Sequence, residues 1–219
     1  VEIIKVGQLG RLIRLIRRTQ VGYAIMVGQI TPRRLFRGLH PDLKALKILK
    51  NLKQTNAHSL FGAISREIEN EGVTILDARA FLDQEITEKG VMVGRLPILI
   101  EDHITHGIQI AKKCSHMNIG QGIVIRKGTI MAVEAFEGTD EMLHRVGNFK
   151  TDKLIFIKTS RPSQDFRFDV PVFGLNTLQV MHSSKIEVAC LEAGKTIILE
   201  KSKVLDCASK WGICLYGFS

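Results

Sequence analysis

The residues best suited to chemistry in this sequence stand close together in residues 163–171, SQDFRFDVP, soon after an apolar run. Asp165, Arg167 and Asp169 alternate there with two phenylalanines. In an extended chain successive side chains point to opposite sides, so the three charged groups would share one face. Carboxylates on such a face can hold a divalent cation, and an arginine suits a phosphate. The spacing predicts a catalytic patch of these three residues; the alternative is an Arg167–Asp169 pair that only braces the loop.

A second acidic cluster lies upstream in residues 132–140, AVEAFEGTD, where Glu134, Glu137 and Asp140 stand close in sequence. Gly138 and Thr139 precede a predicted helix, and free amides at a helix start can bind phosphate. An acid in the first turn of a helix also interacts favourably with the helix dipole, which is the alternative for Asp140. The function depends on whether the two acidic clusters meet in space.

The composition is that of a folded protein, but its positive charge is uneven. The 219 residues carry a net charge of +9, and residues 1–60 hold 12 Lys and Arg against two acids. Such a surface attracts nucleic acid, anionic lipid or a phosphorylated substrate, or it only keeps the protein in solution. No nucleic-acid-binding motif accompanies it.

The four cysteines lack zinc spacing and are interpreted as reduced packing residues. No apolar run reaches the ~20 residues that span a bilayer, which favours a cytoplasmic protein.

Apolar runs of strand length alternate with helical patterns along the chain. A strand is predicted for residues 1–6, a helix with an apolar stripe and four arginines for 8–19, and further strands and helices up to residue 217. Residues 83–97 are polar and contain Gly90, Gly94 and Pro97, so they are predicted to be a linker. The pattern predicts two α/β domains, residues 1–92 and 93–219, of which the first is an incomplete Rossmann-like sheet-and-helix domain and the second is catalytic.

Four motifs in the second half of the chain carry a resemblance to a known family. They are IGQG at residues 119–122, AVEAFEGTD at 132–140, QDFRFDVP at 164–171 and EAGKT at 192–196. In this order they resemble the metal-dependent UDP-2,3-diacylglucosamine pyrophosphatases of lipid A biosynthesis, which have two α/β domains. The first half matches more loosely, through VGQLG at residues 6–10 and LFRGLHPDL at 35–43.

The resemblance implies hydrolysis of UDP-2,3-diacylglucosamine to UMP and 2,3-diacylglucosamine 1-phosphate, with Mg²⁺ and with an essential aspartate. By motif match that aspartate is Asp165 or Asp169. The predicted metal ligands are Asp165, Asp169 and Glu134, and Arg167 is a predicted phosphate donor. The predicted substrate-binding residues are Glu137, Gly138, Thr139, Asp140 and Lys195, although a solvated lysine in a turn is equally consistent with Lys195. The resemblance leaves open a homodimer and a peripheral contact with lipid on the inner face of the inner membrane.

Two departures from the family pattern support an alternative. The chain is expected to lack the family's glycine-rich first strand and turn. Where the family has an acidic sequence before the second helix this chain has Asn56-Ala57-His58, and a lysine is replaced in Gly28-Gln29-Ile30. A non-catalytic, degenerate or truncated relative that binds a nucleotide sugar or lipid is therefore the alternative, and a nucleic-acid-binding protein is less favoured.

Overall fold

Helices and strands alternate along most of the chain, as the sequence predicts, and they fall into two units. The computed structural model describes residues 1–28, 41–52, 57–97 and 100–219. Unit 1 comprises Val1–Ala80 together with Asp165–Asp169, and unit 2 comprises Phe81–Gln164 and Val170–Ser219. Each unit combines helices with paired strands, which confirms the prediction of two α/β domains.

Unit 1 packs helices around a parallel pair of short strands. Its described elements are α1 (Leu9–Thr19), β1 (Tyr23–Ala24), α2 (Leu43–Asn51), α3 (Ala57–Glu69) and β2 (Thr74–Ile75). Strand β1 pairs in parallel with β2, and the core contains Ile13, Ile68 and Ile75. The strand predicted for residues 1–6 is wrong, because these residues join no ladder in the described part of the chain and are mostly exposed. Gln29, Ile30, residues 35–40 and Asn56, which the sequence analysis singled out, lie outside the described residues.

Helix α1 has the apolar stripe and the arginines that the sequence predicts. Leu9, Ile13 and Ile16 are buried in the core of unit 1. The arginines of α1 are exposed, and Arg17 forms an ion pair with Glu71. The stripe therefore packs inside the unit, and the arginines lie on its surface.

Unit 2 is built on a six-stranded mixed sheet. Its elements are a 3₁₀ turn (Asp83–Glu85), β3 (Gly90–Val93), α4 (Glu101–His116), β4 (Gly122–Arg126), β5 (Thr129–Val133), α5 (Thr139–Gly147), β6 (Leu154–Lys158), β7 (Val172–Phe173), α6 (Leu175–Ser183), β8 (Ile186–Glu192), β9 (Ile197–Ile198), α7 (Lys201–Lys210) and β10 (Cys214–Phe218). The strand order is β3-β10-β8-β6-β4-β5. Strands β6, β8 and β10 run parallel, whereas β3 and β4 are antiparallel to their neighbours in this central group. Strands β7 and β9 form a separate parallel pair.

Helices cover both faces of this sheet. Helix α4 packs on one face, where Ile104 contacts the cluster that includes Ile157. Helices α5, α6 and α7 pack on the other face around Phe156, which is fully buried. Burial of each such large side chain contributes roughly 2 kcal/mol to stability. Among the described residues, no helix is both long and apolar enough to cross a bilayer.

The cysteines are packing residues, as predicted. All four are free thiols: Cys114, Cys190 and Cys214 are buried, and Cys207 is half-buried. Burial raises the pKa of the Cys214 thiol to about 11, so it stays protonated at neutral pH.

The predicted linker at residues 83–97 is wrong over Gly90–Val93, because these residues are the edge strand β3, antiparallel to β10. A Cβ at Gly94 would lie 2.9 Å from the Cα of Cys214, and one at Gly217 would lie 1.6 Å from the carbonyl oxygen of Glu88. The glycine at position 94 therefore permits close backbone packing rather than flexibility. The predicted boundary at residue 92 cuts this strand, whereas the two units divide at Ala80.

Candidate active site

The motif at Asp165–Asp169 forms a tight turn that belongs to unit 1. The backbone N–H of Phe168 donates to the carbonyl oxygen of Asp165 at 3.2 Å, and the N–H of Asp169 donates to the same oxygen at 2.9 Å. The i to i+4 bond is a helical turn, so the predicted extended conformation, with all three charged groups on one face, is wrong.

Two phenylalanines hold this turn in unit 1. The ring of Phe168 lies 5.5 Å from the ring of His58 and 6.0 Å from that of Phe61. The guanidinium of Arg79 lies 3.7 Å above the centre of the Phe166 ring. The N–H of Ala78 also donates to the carbonyl oxygen of Phe166 at 2.8 Å. The turn is therefore fixed in unit 1 by ring contacts and by a backbone hydrogen bond.

Arg167 links two carboxylates of unit 1. Its Nε donates to Oδ1 of Asp165 at 2.9 Å, its Nη2 donates to Oδ2 of Asp165 at 2.7 Å, and its Nη1 donates to Oε1 of Glu69 at 2.5 Å. The hydrogen bonds from Arg167 lower the pKa of Asp165 despite its partial burial, so Asp165 is ionised at neutral pH. Arg167 thus braces Asp165 and Glu69, in place of the Arg167–Asp169 pair considered from the sequence. Its role as a phosphate donor stays a prediction.

Asp169 lies beside a histidine. Its Oδ2 is 4.0 Å from Nδ1 of His58, the residue that stands in the departure from the family pattern. Nδ1 of His58 is buried and has no hydrogen-bond partner among the described residues, since 4.0 Å is longer than a hydrogen bond. The turn therefore carries two different carboxylates. Both oxygens of Asp165 accept hydrogen bonds from Arg167, whereas Asp169 lies beside the imidazole of His58.

In unit 2, polar side chains collect where parallel strands β6 and β8 end. Lys158 is the last residue of β6 and is only 9% exposed. Its Nζ donates to Oγ1 of Thr139 at 3.0 Å, and Thr139 donates onward to Oε1 of Glu134 at 2.9 Å. Oε2 of Glu134 is buried and accepts no hydrogen bond among the described residues. The hydroxyl of Thr139 therefore links the ammonium of Lys158 to the carboxylate of Glu134, whose second oxygen has no donor among the described residues.

The IGQG motif makes room for this cluster. A Cβ at Gly120 would lie 2.0 Å from the carbonyl oxygen of Glu134, and one at Gly122 would lie 2.6 Å from Oε2 of Glu134. The amide of Gln121, between these glycines, donates to the side-chain oxygen of Gln164 at 2.6 Å. The motif therefore lets Glu134 approach the strand β4 and fixes the residue before the Asp165 turn.

Glu192 is the last residue of β8, and its side chain is buried. Its Oε2 accepts hydrogen bonds from Oγ1 of Thr159 at 2.6 Å, from N of Ser160 at 2.7 Å and from Oγ of Ser160 at 2.9 Å. Its Oε1 accepts from Nζ of Lys195 at 2.9 Å. Burial alone would raise the pKa of Glu192, but these hydrogen bonds outweigh it and lower the pKa to about 2. Glu192 is therefore ionised throughout the neutral range.

The other predicted substrate-binding residues of unit 2 have partners of their own. Glu137 pairs with Arg145 at 2.6 Å, and the hydrogen bond from Arg145 lowers the pKa of Glu137. Asp140 accepts hydrogen bonds from Nδ2 of Asn176 at 2.5 Å and from Oγ1 of Thr177 at 2.9 Å. Gly138, with φ of 85°, is the N-cap of α5, and Thr139 is the first residue of this helix. Substrate binding by these residues stays a prediction.

Within the described part of the chain, no three His, Cys, Asp or Glu side chains are close enough to form a metal site. Asp165 and Asp169 belong to unit 1 and Glu134 to unit 2. Both oxygens of Asp165 accept hydrogen bonds from Arg167. Oε2 of Glu134 is a buried acceptor without a hydrogen-bond donor among the described residues, and a carboxylate oxygen is a kind of ligand that Mg²⁺ takes. Metal binding by Asp165, Asp169 and Glu134 stays a prediction.

The sequence analysis missed Lys158, Thr159, Ser160, Glu192 and Glu69. A signal for the first four was present, because Lys158 and Glu192 each end an apolar run, and ligands of α/β sheets bind at the carboxyl ends of the strands. Glu69 gave no such signal, since an acid near the end of a helix is common and its partner Arg167 is distant in sequence.

Comparisons with known proteins match nearly the whole chain. Residues 1–85 match the model of the LpxI N-terminal domain, and residues 88–216 match that of the LpxI C-terminal domain. The chain is 26% identical over 227 aligned positions to the "UDP-2,3-diacylglucosamine pyrophosphatase LpxI" of Caulobacter vibrioides, covering 98% of this chain and 80% of that protein. The expected resemblance is confirmed: the chain belongs to the LpxI family.

Proposed function

We propose that this protein hydrolyses the pyrophosphate bond of UDP-2,3-diacylglucosamine, releasing UMP and 2,3-diacylglucosamine 1-phosphate in lipid A biosynthesis. The observation that carries the proposal is the match of both halves of the chain to the two domains of one family, whose member in Caulobacter vibrioides bears this activity in its name. Pyrophosphate hydrolysis requires a positioned water, groups that neutralise the phosphate oxygens, and a donor for the leaving phosphate.

Unit 2 supplies candidate donors for the phosphate oxygens. Lys158 is a buried ammonium with one described acceptor, the hydroxyl of Thr139, so it has N–H groups left for a ligand. It lies at the carboxyl end of β6, beside the start of α5, and the first N–H groups of a helix have no partner within the helix. We assign Lys158 and Thr139 to the binding of the diphosphate group, and Lys195 to the same role.

The predicted catalytic carboxylates, Asp165 and Asp169, belong to unit 1. Asp165 is held by Arg167 in the ionised state with both oxygens engaged, which suits a fixed negative charge more than proton transfer. We therefore assign the orientation of the attacking water to Asp169 and the fixing of the turn to Asp165 and Arg167. His58 lies beside this carboxylate, with its Nδ1 4.0 Å from Oδ2 of Asp169.

Mg²⁺ belongs to the proposal as a cofactor. The acceptor oxygen Oε2 of Glu134 supports a cation site in unit 2, and Asp169 and Asp165 remain the predicted ligands of unit 1. When bound, the ion would supply positive charge to the phosphate oxygens.

We further propose a cytoplasmic protein with a peripheral contact to anionic lipid, which the exposed Arg11 and Arg14 of α1 would favour; a homodimer remains compatible with this proposal.

The test is release of UMP from UDP-2,3-diacylglucosamine by the purified protein. We expect Asp169→Ala to lower turnover by about 100-fold or more, the usual range for loss of a group that orients or deprotonates water. Asp206→Ala is the matched control, because Asp206 is an exposed aspartate of α7. EDTA should stop the reaction and Mg²⁺ should restore it, and Glu134→Gln should raise the Mg²⁺ concentration required.

Three results would count against these assignments. Binding of the substrate without any UMP release by the wild type would favour the non-catalytic alternative. Full turnover in both Asp165→Ala and Asp169→Ala would remove the catalytic role of the turn. Turnover that persists after EDTA would remove the metal.

A further inference from the structure

Two lysines from different elements of unit 2 meet at one buried carboxylate. Nζ of Lys195, in the turn after β8, lies 2.9 Å from Oε1 of Glu192. Nζ of Lys112, near the end of α4, lies 3.7 Å from the same oxygen. The mechanism proposed above makes no use of Lys112 or Glu192.

The charges of this cluster do not balance. Oε2 of Glu192 is already satisfied by donors from Thr159 and Ser160, and Oε1 faces both ammonium groups. Glu192 is ionised, so two positive charges share one negative charge and one positive charge remains. The side chain of Glu192 is only 5% exposed, whereas those of Lys112 and Lys195 are 48% and 46% exposed. The cluster is thus a pair of accessible ammonium groups, Lys112 and Lys195, held by the buried carboxylate of Glu192.

The position of the cluster suits a ligand. Glu192 ends β8 and Thr159 follows β6, and these neighbouring strands are parallel. The carboxyl ends of parallel strands are where open α/β sheets bind ligands. An ammonium pair with a net positive charge selects an anion there, and a diphosphate presents enough oxygens for both groups.

We propose that Lys112 and Lys195 form a binding site for the diphosphate group of a nucleotide sugar, and that Glu192 is the positioning residue that fixes both ammonium groups. The identity of the ligand rests on the proposed function, whereas the anion site itself does not. Lys112 donates from the α4 side of the sheet and Lys195 from the turn, so a diphosphate is bound from two sides.

The experiment measures the dissociation constant of inorganic pyrophosphate by calorimetry in metal-free buffer. We expect Lys112→Met and Lys195→Met each to weaken binding by about tenfold, the effect of one charge-assisted contact of roughly 1.4 kcal/mol. Lys112→Arg and Lys195→Arg should retain most of the affinity. Lys113→Met is the matched control, because Lys113 is an exposed neighbour on the same helix, and it should bind like the wild type.

Glu192 is tested through its coupling to Lys195. If Glu192 fixes that ammonium, the effect of Lys195→Met on pyrophosphate binding should shrink to less than about threefold in a Glu192→Gln background, since residues that act through each other are not additive. A carboxylate with a merely structural role would leave the two effects additive.

The outcomes separate this inference from the proposed function. Unchanged pyrophosphate binding in both methionine variants, an equal loss in Lys113→Met, or no binding by the wild type at millimolar pyrophosphate would overturn the site even if UMP is released. Lysine-dependent binding without UMP release would leave the anion site standing and overturn the enzyme assignment.

Discussion

At the scale of single residues, Glu192 shows how a buried charge is maintained. Removal of a carboxylate from water disfavours its ionised form, yet three donors from Thr159 and Ser160 and one from Lys195 surround it. Because these donors bind the charged form, the pKa of Glu192 falls to about 2 instead of rising. The folded protein therefore binds this proton more weakly than the unfolded chain does.

This difference predicts how stability depends on pH. The pKa of Glu192 is lower in the folded than in the unfolded protein, so its contribution is fully present above the ordinary glutamate pKa and is lost as pH falls towards about 2. The contribution is on the order of 3 kcal/mol at pH 7. We expect Glu192→Gln to lower the free energy of unfolding in urea at neutral pH and to differ less from the wild type near pH 3.

Asp206→Asn is the control for that measurement, because its carboxylate is exposed on α7 and it should change stability little. A constant difference between Glu192→Gln and the wild type from pH 7 to pH 3 would contradict the assigned cause of the shift.

At the scale of elements, one side chain caps the starts of two helices of unit 1. Oδ1 of Asp42 accepts from the N–H of Ala45 at 2.9 Å and caps α2, and its Oδ2 accepts from the N–H of Gly10 at 2.6 Å in the first turn of α1. A Cβ at Gly10 would lie 3.0 Å from that oxygen. Gly10 and Asp42 belong to the two loosely matching motifs, VGQLG and LFRGLHPDL. This one contact explains why these two positions carry a glycine and an aspartate.

Loss of both caps should weaken unit 1. We expect Asp42→Ala to cost about 2 kcal/mol, because a helix cap contributes about 1 kcal/mol. Asp42→Asn should cost less, since its single oxygen can still cap one helix. Hydrogen exchange of amides in α1 and α2 measures this locally, with β6 of unit 2 as the internal reference. Equal protection of α1 and α2 in Asp42→Ala and the wild type would contradict the double cap.

Periodicity predicted the elements that bury an apolar face, and it failed where packing uses small residues. The run Leu154–Lys158 is fully buried, so its strand was evident from composition. The sequence predicts a linker at β3 because Gly90 and Gly94 resemble flexible positions, although Gly94 packs against the backbone of β10. The candidate site was predicted only in part, because Lys158 and Glu192 acquire their roles from partners distant in sequence. These partners are Thr139 in α5 for Lys158, and Thr159 and Ser160 after β6 for Glu192, and spacing along the chain does not reveal them.

At the scale of the molecule, the chain does not divide into two consecutive halves. It leaves unit 2 after Gln164, contributes Asp165–Asp169 to unit 1, and returns at Val170. The sequence places these five residues far from the rest of unit 1, so neither composition nor the order of motifs indicates where they pack. The catalytic prediction for Asp165 and Asp169 therefore concerns residues that pack in unit 1, although in the sequence they stand between β6 and β7 of unit 2.

Because Asp165–Asp169 pack in unit 1, we predict that the two fragments of a protein cleaved between the units stay together. A protease site introduced between Ala80 and Phe81 would leave five residues of unit 1 on the fragment 81–219. We expect the fragments to co-elute in native size exclusion, because Phe168 stays against His58 and Phe61, and Arg167 stays paired with Glu69. Phe168 is half-buried and supplies the ring contacts that hold the turn, so Phe168→Ala should let the fragments separate. Phe136→Ala is the matched control, since Phe136 is 103% exposed. Separation of the wild-type fragments on cleavage would show that these contacts do not hold the turn in unit 1.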